Sequence, residues 1–239
     1  MSLLTICQNA INSVPLNSPA TIVDNSNRTA LLALACVQQE GKALMRRDNW
    51  VSLVTEHTFS TADGTIDYAL PTDFDRLEND TLWDRSNFEH IRGPLTAQMW
   101  QEYKSSILSS TNTVWKRFRI RNVSGTTKFS IHPTPDAVDN LVFEYVSKNF
   151  CETSGGTGQA AWAADNDVGV LDEYLLELGV KWRLLNRLGM EYAEEREEYE
   201  RQVSMAIGRD GGAPTLSIST TPSYRLLGPQ NVPESGYGS

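Results

Sequence analysis

Residues 70–84 read LPTDFDRLENDTLWD and place five carboxylates, Asp73, Asp75, Glu78, Asp80 and Asp84, in one short stretch. Two acids held about 5–9 Å apart could hydrolyse a glycosidic bond, one donating a proton while the other attacks or activates water. A tighter group could hold a divalent cation. However, Asp73, Asp75 and Asp80 lack the regular spacing and the glycine of a calcium loop. No histidine or lysine stands among them in the sequence. Acids beside Pro and Asn are also common turn formers, because a short carboxylate can accept a nearby backbone N–H. The stretch therefore reads as turns between strands, with Phe74, Leu77 and Trp83 as packing residues and the acids as their polar edges.

Other chemistries have weaker carriers. His57, His90 and His132 are far apart, with no HExxH pair on a helical turn. Nucleophile-elbow, P-loop and dinucleotide fingerprints are absent. Gly155, Gly156 and Gly158 sit together without the lysine that phosphate chemistry needs. Cys7, Cys36 and Cys151 have no CxxC or Cys–His spacing, which indicates free thiols in a reducing compartment. The expectation is no catalytic residue, no cofactor and no metal.

One basic segment interleaves charge with aromatics: WKRFRIR at 115–121. Such a pattern can bind single-stranded nucleic acid. On a strand, though, Arg117, Arg119 and Arg121 share one face, and Phe118 and Ile120 share the other. A half-buried strand with a solvated or subunit-facing basic side has this pattern. Its natural counterpart is EYAEEREEYERQ at 191–202, with six glutamates against two arginines. Arg117, Arg119 and Arg121 of one copy could meet Glu194, Glu195 and Glu198 of another across a symmetric interface.

The elements that position these residues follow from periodicity. Leu3, Ile6, Ala10, Ile11 and Val14 recur at helical spacing until Pro15. A second helix follows a capping loop, with Ala30, Leu31, Leu34, Ala35, Gln38, Gly41, Leu44 and Met45 on its apolar face and Lys42, Arg46 and Arg47 in its last turns. At Trp50 the period changes to 2. WVSLVTEHTF alternates, Ala62-Asp63-Gly64 signals a hairpin, and TIDYAL is its returning strand. Short strands around Leu82-Trp83 and His90-Ile91 precede a helix capped by Thr96 and carrying Trp100, Tyr103 and Ile107. Three strands follow, at 115–121, 127–132 and 140–148. Residues 152–167 read as a flexible connector. A helix with Leu171, Tyr174, Leu175, Leu178, Trp182 and Leu185 on one face then runs to a break at Gly189, and another runs from about 191 to 207.

The predicted class is α+β. Residues 1–49 and 168–207 form a helical bundle, 50–150 an inserted mainly β domain, 151–167 a connector, and 208–239 an extended tail. The tail has no period and much Gly, Pro and Ser, so it cannot bury a core of its own. Leu216, Ile218, Tyr224, Leu226 and Leu227 are spaced along it, which suits a segment that orders on a partner.

The net charge of −9 argues against non-specific coating of nucleic acid, which needs clustered Lys and Arg. The N-terminus lacks the basic flank and apolar run of a signal peptide, and no apolar run reaches membrane-spanning length. A protein kept in the cytoplasm, or released from it by lysis, is expected.

Four segments in order carry a resemblance: LPTDFDRLENDTLWD; GPLTAQMWQEYK; RFRIR with FSIHPTPDAVDNLVFEYVSKNF; and LDEYLLELGVKWRLLNRLGMEYAEEREEYERQ. Together, over residues 1–207, the chain resembles the phage tail accessory factor, or head-to-tail adaptor, family of tailed bacteriophages. The resemblance implies a virion protein without enzymatic turnover, present in host cytoplasm during assembly and then at the head–tail junction. Such adaptors form a ring, typically of twelve copies, under the portal. They connect the capsid to a tail or nozzle protein and continue the channel through which DNA passes as cargo. Members often grip the portal with an extended C-terminal segment, a role that would fall here to Tyr224, Arg225, Leu226 and Leu227. No membrane partner is implied. Two other readings are a cell-wall glycan hydrolase using Asp73, Asp75 or Glu78, and another tail or baseplate component.

Overall fold

The computed structural model describes residues 1–105 and 115–211. Among these, the helices are α1 (Leu3–Asn12), α2 (Arg28–Leu44), α3 (Ala97–Ser105), α4 (Glu173–Leu188) and α5 (Ala193–Arg209). The strands are β1 (Val54–Ser60), β2 (Asp67–Ala69), β3 (Phe74–Leu77), β4 (Trp83–Asp84), β5 (Glu89–His90), β6 (Arg117–Val123), β7 (Thr126–His132), β8 (Asn140–Ser147), β9 (Cys151–Glu152), β10 (Gly158–Gln159) and β11 (Val168–Gly169). The mixture of helix with antiparallel sheet is the predicted α+β class. Ile107 of the expected α3 face lies outside the described residues.

Side chains cap the starts of three helices, and α4 stops at the expected break. Ser2, Asn27 and Asp172 accept backbone N–H groups at the starts of α1, α2 and α4, and Gly189 ends α4 in the left-handed region at φ 71°. α4 packs against α1, α2 and α5. The α1 face is as predicted, with Leu3, Ile6, Ala10 and Ile11 buried. The α2 face is partly as predicted: Ala30, Gly41, Leu44 and Met45 are buried, but so are Ala33, Cys36, Val37 and Glu40, while Leu31 and Ala35 are exposed. A glutamate occupies the middle of the inward stripe, so counting apolar residues rotated the face. On α4, Leu175 and Leu185 are buried as predicted, but so are Leu176, Gly179, Val180 and Leu184, and Tyr174 is exposed. A helix with three helical neighbours needs a wider buried face than one stripe.

The buried glutamate is Glu40. Its carboxylate accepts a hydrogen bond from Arg183 Nε at 2.5 Å and a short one from the Tyr199 hydroxyl, joining α2, α4 and α5. Burial, and then the adjoining Glu40 charge, pushes the Tyr199 hydroxyl far above its ordinary pKa. Gly179 makes the approach possible: a Cβ there would lie 2.3 Å from Glu40 Cδ. Arg47 and Glu200 add a bidentate pair at 2.6 and 2.7 Å beside the same junction.

β1 pairs with one edge of β8, while β3 and β4 share the other, and β5 pairs with β4. A second sheet runs β2-β7-β6. The expected hairpin between β1 and β2 is therefore a crossover: Gly64 makes the turn, but β2 pairs with β7. Thr61 is bonded to the Ala137 carbonyl and to the N–H of Asp139, which holds the end of β1 against β8 rather than β2. Phe118, Phe129 and Phe143 stack in series at 4.8 and 5.6 Å, so the two sheets share one aromatic core.

β8 serves two cores. Leu141, Phe143 and Tyr145 enter the sheet core, whereas Val146 joins the helical core with Trp50, Leu53 and Phe150. Residues 152–167, expected to be a flexible connector, are instead packed and hydrogen-bonded. β9, β10 and β11 form a small sheet, Trp162 is buried, and Asp165 and Asp167 accept backbone N–H groups of Ile22, Val23, Ala163 and Ala164. Gly and Ser made this stretch look loose, but its aspartates replace the missing regular backbone pairing. Cys7, Cys36 and Cys151 are free and buried, and burial pushes the Cys7 and Cys151 thiols up to about 12.

Replacing Arg183 with Met should strand the Glu40 carboxylate without its cation and cost about 3–5 kcal/mol, read as a lower urea midpoint. Gly179→Ala should cost about 1–3 kcal/mol through the clash with Glu40. Wild-type midpoints for both variants would refute this account of the junction.

Candidate functional site

The acids of residues 70–84 are taken up by partners and turns of the fold. Asp73 accepts the Tyr145 hydroxyl at 2.9 Å and the Ser147 hydroxyl at 2.6 Å. Burial alone would raise its pKa, but these two donors outweigh it and hold Asp73 below the usual carboxylate range. Asp75 pairs with Arg76 at 2.7 Å. Glu78 accepts from Asn49 at 2.7 Å. Asp80 occupies a turn at φ 59°. Asp84 belongs to a separate buried cluster. Each of these acids thus has a structural use.

The same stretch contains a residue whose role the sequence did not reveal. Arg76 donates to the Asn49 side chain at 2.7 Å and to the carbonyls of Asp48 at 2.7 Å and Met45 at 3.2 Å. It caps the chain leaving α2 and fastens the sheet to the helices. Only its position before Leu77 and Glu78 marked it, and nothing local in the sequence names the carbonyls it meets.

The histidines pack against aromatic rings. His57 lies against Phe59, Phe143 and Tyr145, His90 against Trp83, and His132 between Trp100 and Tyr103. Burial lowers the pKa of His57 and His132, favouring neutral rings. Among the described residues, no three His, Cys, Asp or Glu side chains form a group that could hold a metal ion. None of the described helices is long and apolar enough to cross a membrane.

What the fold does assemble is a surface. Asp84 is completely buried and Asp139 nearly so, and Lys116 bridges their carboxylates, 2.9 Å from Asp84 and in short contact with Asp139. Asn87 donates to both acids at 3.0 Å. Burial would raise Asp84 and lower Lys116, but the bonds from Asn87 and Lys116 to Asp84, and from Lys116 to Asp139 and Asp84, prevail, so the acid lies below and the lysine above its ordinary value. This cluster ties three loops together. Each presents a large apolar side chain one position from its tied residue: Phe88 is 86% exposed, Trp115 61% and Val138 72%. Met99 on α3 is also exposed, and Tyr103 of α3 donates to the Trp115 carbonyl at 2.6 Å. Fixed loops carrying bulky apolar tips suit contact with another protein.

The expected ring-interface residues have unequal freedom. Phe118 and Ile120 do face the sheet core, leaving the arginines on the other side of β6. Arg121 is already engaged, bonded to Ser130 at 2.7 Å and Asp67 at 3.0 Å, with its guanidinium 5.9 Å from the Trp100 ring centre. Arg117 and Arg119 are half-buried. On α5, Glu195 lies 3.7 Å from Lys181, Glu198 pairs with Arg201, and Glu194 is exposed. Tyr224, Arg225, Leu226 and Leu227 lie outside the described residues.

Asp67, Asp73 and Asp84 all have folded pKa values below their unfolded ones. Their stabilisation is complete above the unfolded value of about 3.9 and is lost as pH falls through the lower folded values. The melting temperature should therefore drop on acidification below about pH 4. Asp73→Asn should cost about 1–3 kcal/mol and flatten part of that acid limb. Asp75→Asn, on an exposed pair, should stay within about 0.5 kcal/mol of wild type. An unchanged acid limb in Asp73→Asn would remove that carboxylate from the linkage.

The model of the SU10 adaptor protein family matches residues 1–222, which covers all of the described fold. No curated protein matches the chain. The chain belongs to the SU10 adaptor protein family.

Proposed function

We propose that this adaptor-family chain is a non-catalytic virion protein that forms a ring beneath the portal of a tailed bacteriophage. There it connects the capsid to a tail or nozzle protein and continues the DNA channel. The observation that carries the reading is the family match over residues 1–222, which makes the chain an adaptor-type structural protein of a phage. The site geometry agrees with it. The carboxylates of residues 70–84 are engaged in turns and ties, while Phe88, Trp115 and Val138 are exposed beside a buried ion cluster.

The charge also suits a channel. At −9 the protein repels phosphate, so DNA would slide past without the Lys and Arg contacts that slow release. The apolar tips at Phe88, Trp115 and Val138 are offered to a neighbouring virion protein. The acidic side of α5, with Glu194, Glu195 and Glu198, is one half of the contact between copies, and Arg117 and Arg119 are one candidate for the other half. Tyr224, Arg225, Leu226 and Leu227 supply portal anchors in the C-terminal segment. An aromatic beside an arginine is a common binding hot spot, and many copies binding together offset the cost of ordering each segment.

The test is electron microscopy of the purified protein mixed with the portal of its own phage, expected to show rings on the portal. Portals left bare at saturating protein would refute the reading. A deletion of residues 212–239 should stay folded, because it spares Asp210, whose carboxylate accepts the Val51 N–H at 2.8 Å. That variant should fail to attach. Attachment and infectious yield at wild-type levels would remove the C-terminal segment from the mechanism.

A further inference from the structure

α2 and α5 both pack against α4, and each turns an unused stripe outward. On α2 the stripe is Arg28, Leu31, Ala35, Gln39 and Lys42, all exposed and at helical spacing, and the exposed Arg46 follows in the turn after the helix. It lies opposite the side that buries Ala33, Val37, Glu40 and Leu44. Arg187 of α4 adds a further cation by bonding Gln39 at 3.1 Å. Arg28, Lys42 and Arg46 make no ion pair among the described residues. The stripe carries no acid, because the only Glu of α2 is the buried Glu40.

On α5 the outward residues are Glu194, Glu197, Arg201 and Met205, opposite the buried Tyr199 and Val203. Glu194 and Glu197 are exposed and have no ion-pair partner among the described residues. Leu31 is 53% exposed and Met205 50%, so each stripe also offers one large apolar side chain.

The two stripes match in register. Lys42 stands eleven residues after Leu31, and Glu194 stands eleven before Met205. Each pair is separated by about 16 Å along its helix. If Leu31 of one copy packs on Met205 of another with the helices antiparallel, Lys42 meets Glu194. Gln39 and its partner Arg187 then meet Glu197, and Arg46 falls beside the exposed Glu191. The reverse direction would bring Lys42 and Arg46 toward the apolar and basic end of α5. In the antiparallel register Arg28 falls near the exposed Arg209, which sets one like-charge approach against favourable contacts at Lys42, at Gln39 with Arg187, and at Arg46.

We propose that copies of this chain associate head to tail, the basic outer stripe of α2 in one copy docking antiparallel on the acidic outer stripe of α5 in the next. The stripes lie on two helices that pack against α4, so the contact is heterologous and leaves one free face at each end of any open chain of copies. Such a contact closes when the rotation per copy permits it. The proposal rests on the adaptor reading for its ring, and it replaces Arg117 and Arg119 as the basic half of the contact.

The experiment uses two full-length variants, Lys42→Glu with Arg46→Glu, and Glu194→Lys with Glu197→Lys. All four positions are exposed, and circular dichroism should report unchanged folds. Self-association is read by sedimentation at high protein concentration and low salt, and by ring formation on portals. Each variant alone should associate about tenfold more weakly or worse. A one-to-one mixture should recover association, because every contact then joins an acidic α2 stripe to a basic α5 stripe, or the reverse. Wild-type association by either variant, or a mixture that does not recover, would overturn the proposal. So would loss of association on Arg117→Glu with Arg119→Glu when the α2 variant behaves as wild type. In both cases rings on portals would leave the adaptor reading standing. A wild-type chain that neither self-associates nor binds portals would sink both.

Discussion

Glu40 has no contact with solvent, yet it carries the carboxylate on which the helical half of the molecule is organised. Arg183 supplies the compensating charge, Tyr199 a hydroxyl, and Gly179 the space for the acid to lie against α4. A buried ion pair is not in itself a strong source of stability, since desolvating both groups offsets much of their attraction. Its consequence is specificity. Only one arrangement of α2, α4 and α5 places a cation and a hydroxyl within reach of that carboxylate, and any other packing would leave it bare. The faces that α2 and α5 turn outward are fixed by the same requirement, because each helix is rotated to meet Glu40.

The sheets depend on the helices through two devices. β8 presents alternate side chains to two cores, so Phe143 and Val146 hold the same strand from opposite sides. Arg76 crosses from β3 to the carbonyls that follow α2, where the end of a helix leaves acceptors without partners. The acidic stretch is thus mechanical. Asp73 clamps β8 through Tyr145 and Ser147, and Asp84 joins Lys116 and Asp139 to pin the loops that carry Phe88, Trp115 and Val138. Polar groups are buried where they fix geometry, and apolar groups are exposed next to them.

Periodicity in the sequence determined most of the elements. The return to helix after Asp172 and the stop at Gly189 are local properties of backbone and side-chain shape and appear where the residues place them, whereas the 2 repeat read from Trp50 becomes strand only at Val54, after a 3-10 turn at Val51–Leu53. The alternation in β6 likewise settled which of its side chains enter the core. The ordered motifs carried the family resemblance, because several moderately specific segments in fixed order are jointly specific. The tertiary structure decided what depends on distant partners. β2 leaves β1 for β7 because Thr61 is held by Asp139, far along the chain. The inward face of α2 is set by Glu40, whose burial makes sense only once Arg183 and Tyr199 arrive. The stretch 152–167 packs because Asp165 and Asp167 find N–H groups on a loop near the N-terminus and in their own turn. Local patterns record the preferences of neighbouring residues. Compensation of a buried charge, choice of strand partner and exposure of an apolar tip are relations between remote residues, and those exist only when the chain is folded.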